Sequence, residues 1–161
     1  MGLSPSPDDV VRRTMGALLE RARTERVPLN GSLAMTHRCH LRCVHCYLGD
    51  ERHATLETRE RDTAFWRSLV DQVAEAGCLN LLITGGEPLL RRDFAEVYSH
   101  AARRGILVTV FTNATLVDER IVSLFDEVSP EMIEVSLYGA SAAVYERITG
   151  VPGSYRRCLA G

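Results

Sequence analysis

Cys39-His40-Leu41-Arg42-Cys43-Val44-His45-Cys46 sets three cysteines at C-x3-C-x2-C spacing. Three thiolates this close can hold an iron–sulfur cluster but cannot fill it, because a [4Fe–4S] cube has four irons and normally takes four cysteines. One iron is left open, and an open metal position is where chemistry takes place in catalytic metal sites. A structural zinc site is the alternative. It needs a fourth ligand, which His37, His40 or His45 could offer, although the chain has no second CxxC or HxxxH pair. Five cysteines, an odd number, and no secretory signal point to a reducing, cytoplasmic setting rather than to disulfides.

Outward from the cysteines the chain alternates helix and strand. Val11, Met15, Leu18, Leu19 and Ala22 recur at helical spacing between Asp8 and about Arg26, and Pro28 closes that segment. Residues 1–28 are therefore expected to form an N-terminal helical extension, and 29–161 the main domain. Leu29 to Thr36 reads as a strand, with the cysteines in the loop after it. A helix bearing Phe65, Trp66, Leu69, Val70 and Val73 ends at Gly77, a left-handed cap, before a buried strand from Leu79 to Ile83. Asp93 and Glu96 have the spacing of a capping box for the helix that stops at Gly105. Ile106 to Phe111 is the third strand, Asp118 caps the next helix, and Met132 to Leu137 is the fourth strand. Ser141 opens a short helix ending at Gly150, and Ser154 caps the start of another.

This order predicts an α/β fold with a parallel sheet and right-handed crossovers, whose chemistry collects at the carboxyl ends of the strands. The cysteine loop, Thr84-Gly85-Gly86-Glu87-Pro88, Thr112-Asn113 and Ser136 all fall at such ends. Paired glycines let a backbone approach a ligand closely.

Together, the cysteine triplet, TGGEP, FTNA and VSLYG resemble the signature of the radical S-adenosylmethionine (SAM) enzymes. The tract from Val135 to Leu159 is closest to the subgroup with SPASM-type C-terminal domains, which matures ribosomal peptides, quinone-type cofactors and sulfatases. That resemblance implies a partial (β/α) barrel, of which about four βα units are present, so the chain is expected to be the N-terminal part of the core. It implies Cys39, Cys43 and Cys46 as ligands of a [4Fe–4S] cluster. It further implies Gly85, Gly86 and Glu87 at the SAM amino group, Ser136 at its carboxylate or ribose, His45 at the adenine, and Asn113 lining the same mouth. In relatives the residue after this asparagine is often glycine; here it is Ala114, strained if the position needs a positive φ. The implied activity is reductive cleavage of SAM to a 5′-deoxyadenosyl radical that abstracts hydrogen. A precursor peptide or small cofactor precursor would be the substrate and a flavodoxin or ferredoxin the electron donor. Two alternatives stand beside it: a truncated fragment that binds cluster or SAM without turnover, and an iron–sulfur electron carrier or redox sensor.

Composition bounds the rest. Hydrophobic residues make up 45% and charged residues 25% of 161 residues, as in globular domains. A net charge of -2 gives no footprint for nucleic acid, and no apolar run is long enough to span a membrane. Gly2 and Ser6 formally fit an N-myristoylation pattern, but an acidic segment follows. All nineteen basic residues are arginine, so a lysine Schiff base is impossible. Cys78 reads as a small core hydrophobe. Cys158 stands apart from the triplet, and relatives carry their auxiliary-cluster cysteines further along. An unfinished barrel is expected to leave Met132 to Leu137 as an open apolar edge.

Overall fold

The computed structural model describes residues 6–49 and 60–161. Gly2 of the lipidation pattern lies outside them. The order of elements is α1 (Pro7–Glu25), β1 (Asn30–Ala34), α2 (Thr63–Glu75), β2 (Asn80–Thr84), α3 (Phe94–Arg103), β3 (Leu107–Thr112), α4 (Glu119–Glu127), β4 (Met132–Val135), α5 (Ala142–Thr149) and α6 (Ser154–Ala160). A 3-10 turn, Pro88–Leu90, follows β2. The four strands are parallel in the order β1-β2-β3-β4, with Leu33 opposite Ile83, Ile83 opposite Val110 and Val110 opposite Ile133. This is the open parallel sheet that the helix–strand alternation calls for.

The core lies on one face of the sheet. Leu81 and Ile83 of β2 and Val108 and Val110 of β3 point into it, and Trp66, Val70, Phe94, Val97, Tyr98 and Ala101 of α2 and α3 cover them. Leu79 to Ile83 is thus half-buried rather than enclosed: Leu79 is 39% exposed, and burial alternates along β2 because only one face meets helices. β4 is the edge strand of the described sheet, with Met132, Ile133, Val135 and nearby Leu137 all exposed. α1 buries none of its residues. No helix among the described residues is long and apolar enough to cross a membrane.

Two local expectations change. Asp93 makes no capping bond to α3. Its carboxylate accepts instead from Arg91 Nε at 2.8 Å, Arg91 Nη2 at 2.7 Å and the Thr63 hydroxyl at 2.7 Å, while Glu96 pairs with Arg67. A guanidinium two residues away outcompetes a neutral amide for a carboxylate. Likewise Ser154 is not the cap of α6 but its first residue: Gly153 holds the cap position at φ 75°, and the buried Ser154 hydroxyl bonds Thr149 at 2.8 Å. The Asp118, Ser141 and Gly77 signals hold, Asp118 accepting from the amides of Arg120 and Ile121 and Gly77 standing at φ 93°.

Candidate functional site

The carboxyl ends of β1, β2, β3 and β4 open onto one cavity of about 200 Å³. Cys39, Cys43, Cys46, His45, Gly85, Gly86, Asn113 and Ser136 line it, together with Thr112, Tyr47 and Tyr138. Strand registry brings these residues, up to about a hundred positions apart in sequence, to one mouth. Leu41, Leu48, Thr84 and Phe111 also line it. Thr84 belongs to the TGGEP motif, whereas Leu41, Leu48 and Phe111 were not assigned to the site from the sequence, because apolar residues beside a strand end carry no chemical signal of their own.

The cysteine loop is held at both sides. The amides of Arg42 and Val44 donate to the carbonyls of Thr149 and Ile148, at 2.7 and 3.0 Å, so the loop rests on the end of α5. The Cys46 amide closes a turn on the Cys43 carbonyl at 3.1 Å. The His40 ring bonds the Thr115 hydroxyl, tying the loop to the residues after β3. None of the three cysteines is in a disulfide, and all are partly buried. Burial, reinforced by nearby Glu87, Cys43 and Cys46, pushes the Cys39 thiol up to about 11, so a metal must displace its proton.

The donor set fits a cluster better than a single ion. No three His, Cys, Asp or Glu side chains among the described residues converge closely enough to hold one metal ion. Zinc needs four ligands at about 2.0 to 2.3 Å of one centre, whereas a cube takes each thiolate on a separate iron. Cys39 Sγ also accepts the Leu41 amide at 3.4 Å and has Asn113 Nδ2 at 3.9 Å, the kind of donors that stabilise ligating sulfur.

The glycines of TGGEP have a second neighbour besides the cavity. Gly86 donates its amide to the Thr36 carbonyl at 2.7 Å, and Glu87 donates to Arg38 at 2.9 Å. A Cβ on Gly85 would stand 2.3 Å from the Thr36 carbonyl oxygen, and one on Gly86 2.4 Å from that of Arg38. Gly85 also has φ 147°. Only glycine lets the β2 turn pack flush against the entry to the cysteine loop.

Glu87 is the one sequence-assigned residue that does not line the cavity. It lies fully buried behind the wall. Its Oε1 accepts from the Leu89 amide at 3.1 Å and the Thr112 hydroxyl at 2.7 Å, and its Oε2 from the Asn113 amide at 2.8 Å. Burial pushes its carboxyl up in spite of these three donors. The same carboxylate therefore binds the end of β3 to the end of β2. Asn113 Oδ1 then accepts from the Thr115 amide and hydroxyl, at 3.0 and 2.6 Å, fixing the loop. Ala114 has φ 58° and is buried, so it does occupy the left-handed region that glycine would favour.

Across the cavity, the His45 ring meets Tyr138 edge-on with centroids 4.6 Å apart. The Ser136 amide donates to Thr112 at 3.1 Å. Cys78 belongs to the main core, away from this mouth, and Cys158 is buried beside Ala114 and Tyr145.

The chain is similar to known proteins. The PqqA peptide cyclase of Xanthomonas oryzae pv. oryzae (strain MAFF 311018) is 35% identical over 127 residues, which cover 79% of this chain and 34% of that protein. The AdoMet-dependent heme synthase of Methanosarcina barkeri (strain Fusaro / DSM 804) is 33% identical over 127 residues, 79% of this chain and 36% of that one. The chain spans about a third of the length of these curated relatives. Among solved structures, Streptococcus suis SuiB bound to precursor peptide SuiA superposes with a TM-score of 0.68 at 19% identity. It covers 97% of this chain and 36% of SuiB, a likeness of fold. The family description "Radical SAM superfamily" matches residues 33–161, from within β1 through every strand end that lines the cavity, and the chain belongs to that superfamily.

Proposed function

We propose that residues 29–161 form the cluster- and SAM-binding region of a radical SAM enzyme that acts on a peptide or a cofactor precursor. One observation carries this: the three cysteines open onto the same cavity as Gly85, Gly86, Asn113 and Ser136, all at the carboxyl ends of parallel strands. Cys39, Cys43 and Cys46 would hold the [4Fe–4S] cluster and leave one iron for SAM. When bound, the cluster supplies the electron for reductive cleavage of the SAM sulfonium and so generates an oxidant able to take hydrogen from an unactivated C–H bond.

The chain's own residues bind and orient. The cavity-facing backbone of Gly85 and Gly86 offers polar atoms to the SAM amino group, with the buried Glu87 carboxylate behind them adding negative potential. Ser136 and Asn113 present a hydroxyl and an amide to its carboxylate or ribose, and His45 with Tyr138 walls the adenine. Leu41, Phe111 and Tyr138 keep the mouth poor in water. No acid–base pair is required, because the cofactor carries the difficult chemistry.

The relatives support a peptide substrate, since one acts as a PqqA peptide cyclase and the SuiB structure contains a precursor peptide. A flavodoxin or ferredoxin would deliver the electron, and five cysteines with no disulfide among them suit a reducing cytoplasm. The test is anaerobic incubation of the reconstituted, reduced protein with SAM, followed by chromatography. Formation of 5′-deoxyadenosine and methionine is the expected result; cluster and bound SAM without either product would favour a non-catalytic binding role, and a cluster indifferent to SAM an electron carrier.

A further inference from the structure

Glu60 follows the cysteine loop in sequence and returns to its beginning in space. Its carboxylate accepts from the Thr36 hydroxyl, from Arg38 Nε at 3.0 Å and Nη2 at 2.9 Å, and from Arg91 Nη1 at 3.2 Å. Arg91 continues the chain of charges to Asp93, donates to the carbonyls of Met35 and Arg61, and lies over the Trp66 ring. The side chains of Arg38, Glu60, Arg91 and Asp93 are 21%, 13%, 6% and 16% exposed, so salt screens them poorly.

Arg38 is the residue before Cys39, and three of its anchors lie among the described residues. Its guanidinium is held by Glu60, its amide donates to the Thr36 hydroxyl at 3.0 Å, and its carbonyl accepts from the Glu87 amide. The Thr36 hydroxyl is in turn held by Glu60, so two of the three anchors pass through that one carboxylate. An ion-pair chain at this depth contributes little net stability over apolar packing, because desolvation offsets the attraction. What it fixes is direction. We infer that Glu60 is a positioning residue for the iron–sulfur cluster, setting Cys39 through Arg38. It acts on the cluster without touching it, as partners behind metal ligands do, and this rests on the cluster assignment above.

The test compares wild type with Glu60→Gln, which keeps the side chain's shape and one acceptor oxygen but removes the charge, and with Arg38→Met, which leaves the Glu60–Arg91 pair in place. Iron loss to a chelator and the electron paramagnetic resonance spectrum of the reduced cluster with SAM are read for each. Both variants should lose iron about tenfold faster and give altered spectra with SAM, and the double variant should be no worse than the worse single one. Arg67→Ala, which removes an exposed ion pair, should match wild type. Tyr98→Phe, which removes a hydroxyl bond to Val128 in the core, should lower the melting temperature without changing the spectrum. Wild-type iron retention and spectra in Glu60→Gln and Arg38→Met would overturn the inference, as would Tyr98→Phe reproducing their effect. A wild-type chain that takes up no cluster would overturn the functional reading itself, and its own spectrum distinguishes that failure from failure of the Glu60 role.

Discussion

The Glu87 amide donates to the Arg38 carbonyl at 2.9 Å, joining the turn after β2 to the residue immediately before the first cysteine. Two motifs about fifty residues apart are thereby one construction. The glycines that precede Glu87 serve this contact as well as the cavity, since a side chain on either would meet the Thr36–Arg38 backbone.

Gly86→Ala tests the contact. The added methyl would stand 2.4 Å from the Arg38 oxygen and 2.6 Å from the His37 oxygen, both main-chain atoms that cannot rotate away. Forced separation should cost about 1 to 3 kcal/mol, the range for overpacked interiors. Thermal unfolding of the metal-free protein and iron bound per chain after reconstitution should both fall. Unchanged values for both would show that the turn and the loop do not depend on each other.

Acid should loosen the same region. Burial alone would raise the Glu60 and Asp93 carboxyls, but the guanidiniums of Arg38 and Arg91 and the hydroxyls of Thr36 and Thr63 outweigh it and hold both below the ordinary range. A depressed folded pKa gives stability that is complete above the unfolded value, near pH 4, and is lost as pH falls through the folded one. Glu87 works in the opposite sense, because burial raises its pKa and its protonation favours the fold. Urea unfolding at about pH 5 and about pH 3 should show a smaller loss on acidification in Asp93→Asn than in wild type. Equal losses would mean that Asp93 carries no such linkage.

Ala114 offers a case where opposing terms nearly cancel. Its φ of 58° costs roughly 1 to 2 kcal/mol relative to glycine. Ala114→Gly would relieve that, yet would give up a buried methyl worth about 0.8 kcal/mol and add unfolded-state entropy of about 0.4 to 1 kcal/mol. The variant should lie within about 1 kcal/mol of wild type. Ala114→Val adds branching to a left-handed position and volume to a filled site, and should lose at least about 2 kcal/mol. A glycine variant markedly more stable than wild type would contradict this balance.

What the sequence disclosed follows from how local each signal is. Helix faces, the Asp118 and Ser141 caps and the strand-end placement of Cys39, Gly85, Asn113 and Ser136 depend on spacing within one element, and spacing is written in the chain. Asp93 and Ser154 misled for the opposite reason. Each has a capping residue's chemistry, but a partner brought by the fold, Arg91 for one and Thr149 for the other, takes the side chain first. The Thr36–Glu60–Arg91 cluster spans 55 positions and has no periodicity to announce it. Glu87 was recognisable as a motif residue. That its carboxylate binds the end of β3 from behind the cavity depends on the β2–β3 register, which no motif encodes.

The proposed function stands on Cys39, Cys43 and Cys46 holding a [4Fe–4S] cluster with one iron open to SAM. The most direct measurement is the electron paramagnetic resonance spectrum of the anaerobically reconstituted, reduced protein before and after SAM is added. With this ligand set, a cluster signal that SAM shifts is expected, absent in Cys39→Ala, Cys43→Ala and Cys46→Ala and retained in Cys78→Ala, whose thiol lies in the apolar core. A signal unchanged by SAM, or a cluster that survives loss of Cys43 and disappears with Cys78, would contradict it.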